Sequence, residues 1–188
     1  MFPEIDELGI SATEIDGLFV IFPRSVTDER GQIRELFRRS VLTERIPGIP
    51  ASWAQFNLTK TRHGAVRGLH GEAMTKMVTV ASGSAFGVYV DARASSPTRG
   101  KIFTIDLRPG IQVLVPPGVC NGFQATGDGS SEYLYFFDRE WEPTMAGVAI
   151  NPLDRELDIP WPIPIDPDNR DQLSAKDATA PTLADVLA

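Results

Sequence analysis

What most restricts this chain is how often its apolar runs are cut short. Fifteen prolines and sixteen glycines are spread along 188 residues. Between them stand short runs rich in β-branched and aromatic residues, at positions 18–22, 33–37, 53–58, 77–81, 85–90, 102–107, 111–115 and 132–137. No apolar pattern keeps a helical period long enough for a bundle, and none reaches the roughly 18 residues of a membrane-spanning helix. Positions 85–90 and 102–107 alternate with the period of a strand. From residue 76 onward the runs recur close to the roughly 8–12-residue spacing of a sandwich or barrel. Ser82-Gly83, Arg108-Pro109-Gly110 and Thr126-Gly127-Asp128-Gly129 supply turn chemistry between them. The pattern predicts a mainly β protein. A short helix is expected over 40–46, with Ser40 as N-cap and Pro47 as its stop. The proline-rich stretch 159–167 is expected to wrap the surface, and 182–188 to close the chain with a helical turn. No internal repeat or linker interrupts this, so residues 1–188 read as one domain.

Charge and rare residues narrow the chemistry. Eighteen Lys and Arg against twenty-five Asp and Glu leave a net charge of −7, a poor footprint for gripping nucleic acid. The single cysteine, Cys120, excludes an intrachain disulfide framework. It fits a reducing, cytoplasmic compartment, as does an acidic N-terminus where a secretory signal would be basic. With only His63 and His70 in the chain, a metal site built on three histidines is impossible. Both histidines fall in Arg62-His63-Gly64-Ala65-Val66-Arg67-Gly68-Leu69-His70-Gly71-Glu72, the densest run of titratable groups. The stretch reads as a loop, in which a neutral His70 between glycines can take a proton from carbon. A carbon acid beside a carbonyl then needs a cation to receive the enolate charge, and Lys76 is the nearest lysine. On 132–138, Tyr133 and Tyr135 fall on one strand face, where a phenol can return a proton to the opposite side of a carbon centre. Trp141 can stack on a flat ligand, while Arg30 and Arg67 offer planar forks to phosphate oxygens. Cys120 reads as an inert core residue.

Asp28-Glu29-Arg30-Gly31, Val66-Arg67-Gly68-Leu69-His70, Val90-Asp91-Ala92-Arg93 with Ser95-Ser96-Pro97-Thr98, Pro116-Pro117-Gly118, Glu132-Tyr133-Leu134-Tyr135 and Leu173-Ser174-Ala175-Lys176-Asp177 follow one another in an order that resembles the dTDP-4-dehydrorhamnose 3,5-epimerase family. The resemblance runs from about residue 17 to 185. It implies a cupin-type jelly-roll barrel or sandwich, a homodimer exchanging N-terminal strands, and neither metal nor organic cofactor. It further implies His70 as base, Asp177 as its orienting partner, Tyr135 as acid on the other face and Lys76 near the C4 oxygen. Arg67 would sit beside sugar and phosphates. Arg30, Glu35, Gln55 and Asn57 would contact the nucleotide, and Trp141 would stack on the base. The substrate so implied is a nucleotide sugar, with no nucleic acid or membrane as partner.

The chain also departs from the family. Asn121 stands where a histidine is usual, Gly71 follows His70, the connection from His70 to Lys76 is short, and Met145-Ala146 replaces a charged pair. These changes touch the pocket rim and spare the proton-transfer set. A 3,4-ketoisomerase and a non-catalytic sugar-nucleotide binder remain alternatives on the same residues.

Overall fold

The computed structural model describes residues 4–188. The N-terminal quarter contributes short strands: β1 (Glu4–Asp6), β2 (Gly9–Ala12), β3 (Phe19–Phe22), β4 (Ser25–Asp28) and β5 (Gly31–Arg34), followed by helix α1 (Arg39–Arg45). Longer strands follow in β6 (Gln55–Arg62), β7 (Val66–Glu72), β8 (Lys76–Ser82), β9 (Ala85–Asp91), β10 (Ile102–Leu107), β11 (Gln112–Val115), β12 (Val119–Ala125) and β13 (Ser130–Phe137). A short β14 (Gly147–Ala149), a 3-10 turn (Arg155–Leu157), α2 (Ala175–Ala178) and α3 (Leu183–Leu187) complete the chain.

These strands form a sandwich rather than a closed barrel. A six-stranded sheet runs β2-β3-β11-β8-β13-β6, and a five-stranded sheet runs β10-β9-β12-β7-β14. Inward side chains of both meet in one core that includes Val20, Val78, Val80, Tyr89, Val113 and Phe123. The Phe123 and Tyr133 rings stack there at 4.0 Å.

Every residue of β9 is buried, because both faces of its sheet are covered. The outer face packs Phe86, Val88 and Val90 against Ile150, Leu157, Leu183 and Trp161. Residues 159–167 therefore wrap the sheet without pairing as a strand, as their prolines require. The closing helix α3 is capped by Thr182, whose hydroxyl and backbone N–H form a capping box with Asp185. Among the described residues no helix is long and apolar enough to cross a membrane.

Three expectations are corrected. The helix starts at Arg39 rather than Ser40, with Arg38 as an N-cap that makes no side-chain bond. Burying Leu42 and Ile46 against Ile21, Met77 and Phe136 sets its register, and that outweighs a serine cap. The 33–37 run leaves its strand after Arg34, since Leu36 and Phe37 turn to pack on the same cluster. The stretch from Val66 to Glu72, with His70, is a strand, β7, and not a loop, while His63 lies in the turn before it.

A third sheet, β1-β4-β5, pairs with neither of the other two. All of β5 is exposed, and Ile33 is 73% accessible.

Candidate active site

The site begins with the close approach of β7 and β12. A Cβ on Gly68, whose φ is +105°, would lie 2.7 Å from the Asn121 carbonyl oxygen and from Gly122 Cα, so only glycine fits. On Gly71 a Cβ would lie 3.0 Å from Cys120 Sγ. What the glycines around His70 let the chain approach is the neighbouring strand. Held in this way, His70 sits in register with Asn121 on one side and Ala149 on the other.

Asp177 reaches His70 from α2. Ser174 caps that helix by accepting the Asp177 N–H at 3.0 Å, which orients the carboxylate. Asp177 Oδ1 then lies 2.7 Å from His70 Nε2. Partial burial works to raise the Asp177 carboxyl, but the bond and charge of His70, together with Ser174 and the Gly68 N–H, outweigh it and hold the group below its usual range. An ionised aspartate on one ring nitrogen leaves the other free to exchange a proton.

Lys76, on the six-stranded sheet, is 4% exposed. Its Nζ donates to Asn121 Oδ1 at 2.6 Å and to the His70 carbonyl oxygen at 3.1 Å, and it pairs with the Glu72 carboxylate, so the departure at Asn121 is buried against the proton-transfer set and not at the rim. Tyr135 lies on β13 in the same sheet, in register with Asn57 and ring-to-ring with Tyr133 at 4.9 Å. Desolvation pushes the Tyr135 phenol well up, against the pull of Arg67 and with the push of Glu72, so it stays protonated at neutral pH.

His70, Asp177, Lys76, Tyr135, Asn121 and Trp141 all line one cavity of about 1010 Å³, as do Asn57 and Arg67. Arg67 is fixed by a 2.9 Å bond from Nε to the Thr61 hydroxyl. Lys60, Arg62, Arg170 and Lys176 add further cations to the wall. Two of these come from the tail more than a hundred residues away from the other two, and no local motif marks them as a set.

Gln55 is not on the wall; its Oε1 accepts the Trp141 N–H at 2.7 Å and tethers that aromatic. Arg30 and Glu35 do not line this cavity of their own chain; Arg30 is bonded to Asp28 and Glu35 is paired with Arg38. His63 faces away, with Nδ1 3.0 Å from the Gly127 carbonyl. Burial raises the Cys120 thiol to about 12, so it carries no thiolate at neutral pH. Among the described residues no cluster of three or more His, Cys, Asp and Glu side chains is placed to hold a metal ion.

The family model for dTDP-4-dehydrorhamnose 3,5-epimerase matches residues 12–185. The chain belongs to that family. Among its relatives, the Salmonella typhimurium dTDP-4-dehydrorhamnose 3,5-epimerase is 34% identical over 93% of this chain and 95% of its own. A Streptomyces bikiniensis dTDP-4-dehydro-6-deoxyglucose 3-epimerase is 32% identical over 90% of this chain and 86% of its own. The solved structure of a 4-keto-6-deoxy sugar epimerase from the novobiocin cluster of Streptomyces spheroides superposes with a TM-score of 0.86, at 30% identity, covering 98% of this chain and 92% of that one. A Legionella pneumophila 3,5-epimerase, solved in complex with dTDP-4-keto-L-rhamnose, gives 0.84 at 32% identity, covering 96% of this chain and 97% of that one. The family thus includes enzymes named for inversion at two centres and at one.

Proposed function

We propose that this protein epimerises a dTDP-linked 4-keto-6-deoxyhexose at C3, C5 or both, in the cytoplasm. The observation that carries the reading is the His70–Asp177 pair in one cavity with a protonated Tyr135 and a buried Lys76. The 4-keto group acidifies the protons on its two neighbouring carbons. His70 removes one, the Lys76 ammonium receives the charge on the enolate oxygen, and Tyr135 delivers a proton from the other face. One C–H bond breaks and one forms, and no oxidation state changes. The cations Arg67, Lys60, Arg62 and Arg170 on the wall suit a diphosphate, despite the acidic balance of the whole chain.

Two further roles follow from the same reading. Trp141 is 50% exposed at the rim, where its face can meet a nucleobase. Asn57 lies beside it on the wall, and Gln55 acts through Trp141.

The active form is a homodimer. The third sheet carries exposed Ile5 and Ile33, and β6, an edge strand, exposes Phe56 and Leu58 on the strand that bears Asn57. Seating the third sheet of one copy on the β6 face of the other covers both apolar sets. It also brings Arg30 and Glu35, which do not line the cavity of their own chain, to a partner's nucleotide. Sedimentation equilibrium is expected to give a dimer, and a monomer at micromolar concentration overturns the arrangement.

Incubation with dTDP-4-keto-6-deoxyglucose in deuterated water tests the function. Label is expected at C3, C5 or both, with inversion at a labelled centre and the ketone still at C4. A ketone moved to C3 would mean isomerisation, and tight dTDP binding with no label would mean a binder.

A further inference from the structure

Lys76 stands apart from the other cations of the cavity wall because it is buried, at 4% exposure. A buried ammonium is held only by good partners, since water no longer solvates it. Of its three contacts, Asn121 Oδ1 and the His70 carbonyl are neutral, and the Glu72 carboxylate is the one charged partner. The other titratable or charged groups around it are His70 and Arg67 on β7, Cys120 on β12 with Asp91 of β9 behind it, Tyr135 on β13 and Asp138 just past that strand, and Asp177 through His70. Among the described residues none of these has a carboxylate in contact with the ammonium.

Glu72 reaches this place for two local reasons. It follows His70 by two residues on β7, so both side chains point to the cavity face. The link from β7 to β8 is only Ala73-Met74-Thr75, with Met74 fully buried and the Thr75 N–H held by Asp138 Oδ1 at 3.1 Å. That short, pinned connection lays Glu72 against Lys76.

We propose that Glu72 is a positioning residue for proton abstraction: its carboxylate keeps the Lys76 amine charged and aimed into the cavity, ready for the enolate oxygen. The inference rests on the epimerase reading. Without Glu72 the buried amine sheds its proton to water at neutral and alkaline pH, and a neutral amine stabilises an enolate poorly. In acid the ammonium survives without its counter-ion and no longer competes with a neighbouring carboxylate, so it binds the enolate at least as well. Glu72→Gln therefore changes the shape of the pH profile and not only its height.

The experiment compares wild type, Glu72→Gln and Glu72→Asp by solvent deuterium exchange into dTDP-4-keto-6-deoxyglucose across pH. At about pH 8, kcat of Glu72→Gln is expected to fall roughly 10- to 100-fold, because a fully buried amine without a counter-ion can lose its proton about three to five pH units below its usual range. At about pH 6 it stays within about threefold of wild type, since the amine is charged in both. KM holds steady, and Glu72→Asp restores the alkaline side. A second readout needs no turnover. The chain has only four lysines, Lys60, Lys76, Lys101 and Lys176, so the ε-13C signal of Lys76 is assignable through Lys76→Met. At about pH 8 that signal is expected at the ammonium position in wild type and at the amine position in Glu72→Gln. A parallel loss at every pH, an unchanged profile, or a Lys76 signal that ignores the substitution overturns the proposal. If wild type itself exchanges nothing, the epimerase reading falls, and the lysine signal alone decides whether Glu72 is the counter-ion.

Discussion

Replacing His70 by asparagine is expected to lower epimerisation roughly 10²- to 10⁴-fold, the usual worth of a positioned general base, and to stop deuterium entering C3 and C5 at a measurable rate. Asparagine keeps a polar group near Asp177 Oδ1, so the loss reports on chemistry and not on collapse of the pocket. Wild-type rates of exchange in His70→Asn would sink the assignment of the base. The pairing also has a pH signature. The Asp177 carboxyl is held below its usual range, so its ionised form favours the folded state. That contribution is fully present above about pH 4, where an unfolded aspartate is ionised, and is lost as pH falls through the lower folded value. The melting temperature of wild type should therefore drop more steeply in acid than that of His70→Asn, whose aspartate has lost its strongest partner.

Strand order and the catalytic set were legible to different depths, for physical reasons that differ by residue. Runs such as 85–90 and 102–107 pair in register along β9 and β10 because β-branched and aromatic side chains repeat at the strand period. Strand β7 is harder to read: Gly68 and Gly71 carry no strand propensity, Gly68 is present because β12 passes too close for any Cβ, and a Cβ on Gly71 would crowd Cys120 Sγ. Ser40 has the residue type of a cap, but helix α1 obeys the burial of Leu42 and Ile46. His70 stood out through the density of titratable groups around it, whereas Asp177 lies 107 residues away and became a candidate only through the family resemblance. The cationic wall shows the same limit. Lys60 and Arg62 on β6 join Arg170 and Lys176 from the tail only after the tail wraps the sheet, and a linear pattern holds no trace of that proximity. No pattern in the sequence singles out Glu72, because the role proposed for it depends on Lys76 being buried, and burial of a lysine is the opposite of what its residue type predicts.

Tyr135→Phe separates the two halves of the reaction. His70, Asp177 and Lys76 are untouched by this change, so a proton still leaves the carbon beside the ketone and the enolate still finds its cation. The acid on the other face is gone. The enolate can then recover a proton only from His70, on the side it left, and the centre is labelled without being inverted. Inversion is expected to fall roughly 10²- to 10⁴-fold, as for loss of a general acid, while deuterium exchange falls far less. The ratio of exchange to inversion, read by NMR on recovered sugar nucleotide, is the deciding quantity. Folding should tolerate the change: the ring remains packed between Tyr133 and Phe137, at 4.9 and 5.6 Å, and phenylalanine fills the same space. If Tyr135→Phe inverts its substrate within about threefold of wild type, Tyr135 is not the acid. If it loses exchange and inversion together, the phenol acts before the proton leaves carbon, by steadying the enolate beside Lys76 and not by reprotonating it.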